Sequence, residues 1–292
     1  MLRSSIRRHA AAAANRATLP QLLRLSLPGS LAAWEAAGFA RNGDADDYSL
    51  SIGGVNVGVC SSRSSWGWRD GPRTRGWPGS PNEAEPPHWA GLKGEGFTES
   101  VIDGVHTAID DLDDMEYEEH IASLASAATA HPNGAVGIYS VCVTTPHFDA
   151  TIQAFTTAGL DLRRLRGDND PASPLSRGLS MAFFKFGTPG RNVILELIGP
   201  GKSEMATEAS VTAERVGFAV GDESTIAGMV VEVPSIAPLA TVIGASHITK
   251  ERAAAQGHGR RIATLKHEAI GLPLPIAFIT PSEGRNDSTG RF

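Results

Sequence analysis

Cysteine is nearly absent: Cys60 and Cys142 are the only two in 292 residues. Two thiols cannot build a disulfide scaffold or a cysteine metal cage. Long hydrophobic runs are missing as well. The most apolar stretches, Val233–Ile248 and Ala269–Ile279, each contain two prolines, and no window reaches the ~18 uninterrupted apolar residues of a membrane span. Positive charge is not in excess, with 26 Lys and Arg against 32 Asp and Glu. That balance argues against nucleic-acid binding, which needs a basic face to displace counterions. No G-x-S-x-G, P-loop or dinucleotide fingerprint occurs, and His247, His258 and His267 lack the short spacing of a local metal motif. These exclusions leave no nucleic-acid and no membrane partner expected.

What is present reads as a globular chain. Hydrophobic residues make up 41% and charged residues 20%, and the length suggests about two domains at roughly 150 residues each. Charge is unevenly placed. No acid precedes Glu35, whereas Arg3, Arg7, Arg8, Arg16 and Arg24 do. Residues 1–18 therefore read either as an organellar transit peptide or as a disordered leader. The first reading implies a mitochondrial or other organellar matrix, the second the cytoplasm. Asp110–Glu119 holds seven acids in ten residues, and no Lys or Arg occurs from Gly94 to Leu162. This run lacks the glycine and ligand spacing of a calcium loop and reads as a solvated acidic helix or linker.

Internal repetition carries the fold. Leu22–Leu27, Pro28 to Gly38 and Tyr48–Cys60 read as a strand, a short helix closed by glycine, and a glycine-turned hairpin. Gly137–Val143, Pro146 to Gly159 and Met181–Gly199 repeat that order. A third copy is expected from a strand at Arg215–Val220, a short helix opening at Asp222–Gly228, and a last hairpin of Arg261–His267 with Pro275–Thr280 around Gly271-Leu272-Pro273. Trp89–Lys93 and the acidic connection after it read as remnants of another unit. Ser61–His88, with Trp66, Trp68, Trp77 and four arginines, reads as a long insertion rather than a ligand-binding lid. The fold class is α+β, built from serial βαβββ units whose curved mixed sheets carry helices on the outside. The expected organisation is a leader at 1–18 and a degenerate half at 19–130 containing the insertion 61–88 and the acidic linker. A paired domain at 137–282 and a disordered tail at 283–292 complete it.

These units, most clearly GIYSVCVTTPHFDATIQAFTTAGL (137–160), MAFFKFGTPGRNVILELIGP (181–200) and GRRIATLKHEAIGLPLPIAFITP (259–281), resemble the vicinal oxygen chelate superfamily, the glyoxalase/bleomycin-resistance/dioxygenase fold. The resemblance covers roughly half the chain clearly and Pro20–Cys60 more faintly. It implies a divalent metal held by a first-strand His or Gln and a last-strand Glu from each of two units, a small oxygenated substrate, and association into a homodimer. Carried over, the four positions fall on Ser140, Glu196, Arg215 or Val216, and Ala277. Only Glu196 keeps a metal-binding side chain, and catalytic metals normally have about three protein ligands. No metal ligands are therefore assigned, and the cofactor stays open.

The expected function is glyoxalase-like isomerase or lyase chemistry. Glu196, in the apolar strand VILELI, is the candidate base, because burial raises a carboxyl's pKa toward useful basicity. A structural ion pair with Arg191, Lys185 or an arginine of a neighbouring unit is the alternative reading of that residue. Ser140 is a candidate substrate contact, and Arg260 or Arg261 a candidate anion clamp, from the basic cluster Lys250, Arg252, His258, Arg260 and Arg261. Cys142 reads as a core thiol. Two other functions remain open: a non-catalytic small-molecule-binding protein of the same fold, and a structural subunit of an organellar assembly.

Overall fold

The repeat is written into the backbone hydrogen bonding. The computed structural model describes residues 21–41, 49–60, 65–69, 91–94, 97–102, 105–110, 119, 130–167, 179–188, 191–200 and 220–282. In the first half, β1 (Gln21–Pro28) leads to α1 (Leu31–Ala36), β2 (Ser49–Ile52) and β3 (Val55–Cys60), followed by β4 (Ser65–Arg69), β5 (Gly91–Gly94), β6 (Phe97–Ile102) and β7 (Val105–Asp110). The second half holds β8 (Gly137–Thr144), α2 (Phe148–Thr157), β9 (Asp161–Arg166), β10 (Leu179–Thr188) and β11 (Arg191–Pro200). It then continues with β12 (Thr225–Glu232), β13 (Arg252–Ala253), β14 (Arg261–Thr264) and β15 (Ile276–Ile279).

Pairing order shows the units. In the second half the strands run β9-β10-β11-β8 and then β12-β15-β14-β13. The first strand of each unit pairs parallel with its last, β8 with β11 and β12 with β15. The two first strands join antiparallel at the centre. The first half repeats this as β2-β3-β1-β4-β7-β6-β5, again with parallel β1–β3 and β4–β7 pairs and an antiparallel β1–β4 seam. Each half is thus a pair of units related by a pseudo-twofold.

Two expectations need correction. The stretch expected as an insertion contains β4, the first strand of a unit, and the expected remnant around Trp89–Lys93 contains β5, its next described strand. In the last unit, Asp222–Gly228 does not open a helix. Residues from Thr225 onward form the first strand, because Ile226, Met229 and Val231 are buried where β12 lies against β8. The expected strand at Arg215–Val220 lies outside the described residues except Val220, as do the leader and the tail from 283. One helical turn, Ala240–Gly244, stands where that unit's helix belongs.

The helices lie on one side of each sheet, and the two halves turn those sides toward each other. A single core results. Phe155 of α2 meets Trp66 of β4 and Phe184 of β10, each at 5.7 Å between ring centroids. Phe39, just past α1, meets Trp34 at 5.3 Å and Phe278 of β15 at 6.3 Å. Gly53 turns the β2–β3 hairpin with φ of 60°, a conformation L side chains rarely adopt, and it abuts the entrance to β8. A Cβ there would lie 2.6 Å from Gly137 Cα and 2.8 Å from the Val136 carbonyl.

The joint between halves is polar and closed. His131 is buried; its Nδ1 accepts the Ala40 amide at 3.0 Å and its Nε2 donates to the Ser51 carbonyl at 2.8 Å. Asn133 Nδ2 donates to the Ala37 carbonyl at 2.9 Å. Both bonds of His131 require a neutral ring with its proton on Nε2. Burial pulls its pKa below 6.5, only partly opposed by the Ser51 bond.

Two outcomes follow. Gly53→Ala should lower stability by about 2 kcal/mol or more in urea unfolding, from the positive φ and the backbone clash together. Gly58→Ala, whose Cβ would meet nothing nearer than 3.6 Å, should change it by less than about 0.5 kcal/mol. For His131, the unfolded ring takes up a proton at higher pH than the native one, so the contribution is complete above 6.5 and is lost as pH falls through the lowered native value. Replacing His131 by Gln should flatten the pH dependence of Tm in that window.

Candidate functional site

Strand registers decide which side chains share the helix-free face of the second sheet. Val141 and Val143 of β8 and Val193, Leu195 and Leu197 of β11 point into the shared core on the helix side. Residues of opposite parity therefore line the other face. Three rows cross it. Arg166, Met181, Ile198 and Thr144 stand in register in one row; Arg164, Phe183, Glu196, Cys142 and Gly228 form the next. Lys185, Ile194, Ser140, Val230 and Ala277 form the third. Below them an apolar cluster of Tyr139, Ile194, Val230, Ala254, Ile262 and Ile279 fills the face.

Glu196 sits in the middle row and is half-buried. Desolvation raises its pKa above 4.5, while contacts with Ser140 and Cys142 and the positive charge of Arg166 pull the other way. Cys142 Sγ lies 3.8 Å from Glu196 Oε2. Burial first, and then the adjacent carboxylate, push the Cys142 thiol well up, so it remains protonated and non-nucleophilic. Ser140 is fully buried and touches both the Glu196 carboxylate and the Cys142 thiol, without a hydrogen bond of good geometry; Thr144 Oγ1, also buried, has no partner.

The basic cluster does not gather into a clamp. Arg260 is buried, stacks over Tyr139 with its guanidinium carbon 4.9 Å from the ring centroid, and donates to the Thr280 carbonyl at 3.1 Å. Arg261 lies at the surface, where its Nε donates to Glu251 at 2.7 Å. Lys250, Arg252 and His258 are exposed. His267 Nδ1 and His247 Nδ1 bond the backbone oxygens of Leu272 and Ile243. Sequence reasoning missed Arg166, the inward-facing arginine of DLRRLR. Its signal was parity along β9, hidden by the irregularity in pairing opposite Phe183/Phe184.

The pseudo-twofold also relocates one expected position. Relating β8 to β12 and β11 to β15 sends Ser140 to Gly228 and Glu196 to Ala277. Gly228 thus replaces the expected Arg215 or Val216, because the first strand begins later than expected. One carboxylate, one hydroxyl, a glycine and an alanine do not fit a divalent metal, which requires about three donors. Among the described residues no group of three or more His, Cys, Asp or Glu is placed to hold one. No described helix is long and apolar enough to cross a membrane.

No protein-family profile and no curated protein matches the sequence. Solved structures do match. Methylmalonyl-CoA epimerase from Mycobacterium tuberculosis is 16% identical over 51% of this chain and 91% of its own, with a TM-score of 0.35. The Streptomyces coelicolor epimerase, in complex with 2-nitronate-propionyl-CoA, is 17% identical over 50% and 97%, also at 0.35. A triple mutant of 4-hydroxymandelate synthase from Streptomyces coelicolor is 11% identical, covers 94% of this chain and 95% of its own, and gives a TM-score of 0.51. That last likeness spans both halves, as the unit pairing does. The chain has the vicinal oxygen chelate, or glyoxalase-like, fold.

Proposed function

We propose that this protein is an enzyme of isomerase or lyase type that removes a proton from a small oxygenated organic molecule, with Glu196 as the base. The carrying observation is a desolvated carboxylate on the helix-free face in contact with the buried Ser140 hydroxyl. Glu196 takes the proton from a carbon next to a carbonyl; the electron pair of that C–H bond moves onto the carbonyl oxygen as an enolate. In this reading Ser140 Oγ–H turns from Glu196 to donate to that oxygen. Return of the proton to another position completes an isomerisation, and loss of a group from the neighbouring carbon completes an elimination. The raised pKa of Glu196 suits it to hold the proton between the two steps. The apolar wall of Val230, Ala277 and Ile279 supports water exclusion during the charged step.

Hydrogen–deuterium exchange tests this reading. A panel of 2-oxo acids, 1,3-dicarbonyls and acyl thioesters in deuterated buffer, followed by NMR, should reveal at least one compound whose acidic C–H is exchanged by the wild type. Glu196→Gln should slow that exchange about 100-fold or more. Exchange unaffected by Glu196→Gln would remove the base.

The same substitution should stabilise the fold. Native Glu196 keeps its proton to higher pH than the unfolded carboxyl near 4.5. Between the two values the native state binds more protons, so its stability falls as pH rises. Glu196→Gln should therefore raise Tm above that window and lose its advantage below 4.5.

A further inference from the structure

Arg166 occupies an unusual position for an arginine. Its neighbours on β9 are spent or exposed: Arg163 pairs with Asp161 at 3.0 Å and Arg164 faces solvent. Arg166 is half-buried, and its guanidinium carbon lies 5.6 Å from the centroid of the Phe183 ring. Its Nε is buried without a hydrogen-bond partner. It exerts an electrostatic pull on Glu196 but makes no hydrogen bond to it. A buried donor left unmet costs stability, and a guanidinium presents its donors in a planar fork.

The row containing Arg166 runs through Met181 and Ile198 to Thr144 and Thr225. This row lies two residues along the strands from that of Glu196, or about 7 Å. The guanidinium thus stands toward one end of the face, the carboxylate in the middle, and the apolar cluster at the other end.

We propose that Arg166 binds an anionic group of the substrate, a carboxylate or phosphate, and so places the adjoining acidic carbon over Glu196. This deepens the reading of Glu196 as base and rests on it for the chemistry, although anion binding stands by itself. The substrate class narrows to small anionic carbonyl compounds. A planar fork matches the two oxygens of such a group. The guanidinium also offsets the repulsion between that anion and the Glu196 carboxylate.

Nitrogen-15 NMR of the arginine Nε–H resonances provides the test, with the Arg166 peak assigned by its loss in Arg166→Lys. Titrations at constant ionic strength use acetate, inorganic phosphate and chloride. The Arg166 peak should move saturably with acetate or phosphate, and not with chloride, in both the wild type and Glu196→Gln. The anion that acts at lower concentration identifies the carboxylate or the phosphate. No movement, or equal movement with chloride, overturns the anion site whatever the exchange assay shows. A saturable shift without Glu196-dependent exchange keeps the anion site and removes only the base. For compounds that exchange, Arg166→Gln should raise KM about 10- to 100-fold for anionic members and leave neutral amides unchanged, and Arg166→Lys should recover part of the loss. Equal losses for neutral and anionic compounds would overturn the assignment. Melting curves of the lysine variant separate binding from packing on Phe183.

Discussion

Everything in the second half depends on β8 being paired on both edges. Its eight residues are all buried; one edge bonds parallel to β11 and the other antiparallel to β12. The first contact completes one unit and the second joins two units into one sheet. Because side chains alternate across a strand, this single strand must satisfy two environments. Val141 and Val143 serve the core beneath the helices, while Ser140, Cys142 and Thr144 serve the opposite face. A central strand that served packing alone would carry apolar residues on both faces. β8 instead buries two hydroxyls, Ser140 against the Glu196 carboxylate and Thr144 with no partner. An unmet buried hydroxyl opposes folding.

The His131 joint solves a different problem. Two halves packed through their helices need a fixed angle, and apolar contacts such as Trp66 on Phe155 are poorly directional. The His131 ring and the Asn133 amide tie the connection to the end of α1 and to the β2 hairpin through bonds of defined geometry. The close approach of Gly53 to Gly137 brings the same hairpin against the first residue of β8. The first half thereby anchors the strand on which the candidate site is built.

The unit order was legible in the sequence because glycine-closed helices and glycine-turned hairpins recur with the apolar periodicity of strands. Glu196 was legible as a lone carboxylate among Ile194, Leu195, Leu197 and Ile198. Two other features were not. The first strand of the last unit carries Gly228 and two shifts in pairing register, so its alternation is broken and RVGFAV upstream read as the better strand. β4 is rich in glycine, serine and tryptophan, and that composition reads as loop. Arg166 escaped notice for a physical reason: its role depends on neighbours across β10 and β11 that are distant in sequence. Arg260 and Arg261, adjacent and flanked by glycines, attracted the anion-binding expectation that the geometry gives to Arg166.

The two units of the second half share a backbone and differ in what they present. At related positions the first offers Ser140 and Glu196, the second Gly228 and Ala277. A carboxylate facing a second set of donors would share a cation and stay ionised at low pH. With Phe183, Cys142 and Gly228 as its neighbours across the strands, desolvation is the largest influence on it. Under the proposed chemistry, the second unit's lack of donors leaves the first unit's carboxylate to act as a base. The geometry needs no new element for this, because the pseudo-twofold already holds the two units at a common face. Arg166 enters from the outermost strand of the first unit, so the proposed recognition and proton transfer both lie on one unit. The proposed chemistry thus draws on residues of one duplicated unit and not on donors shared between two.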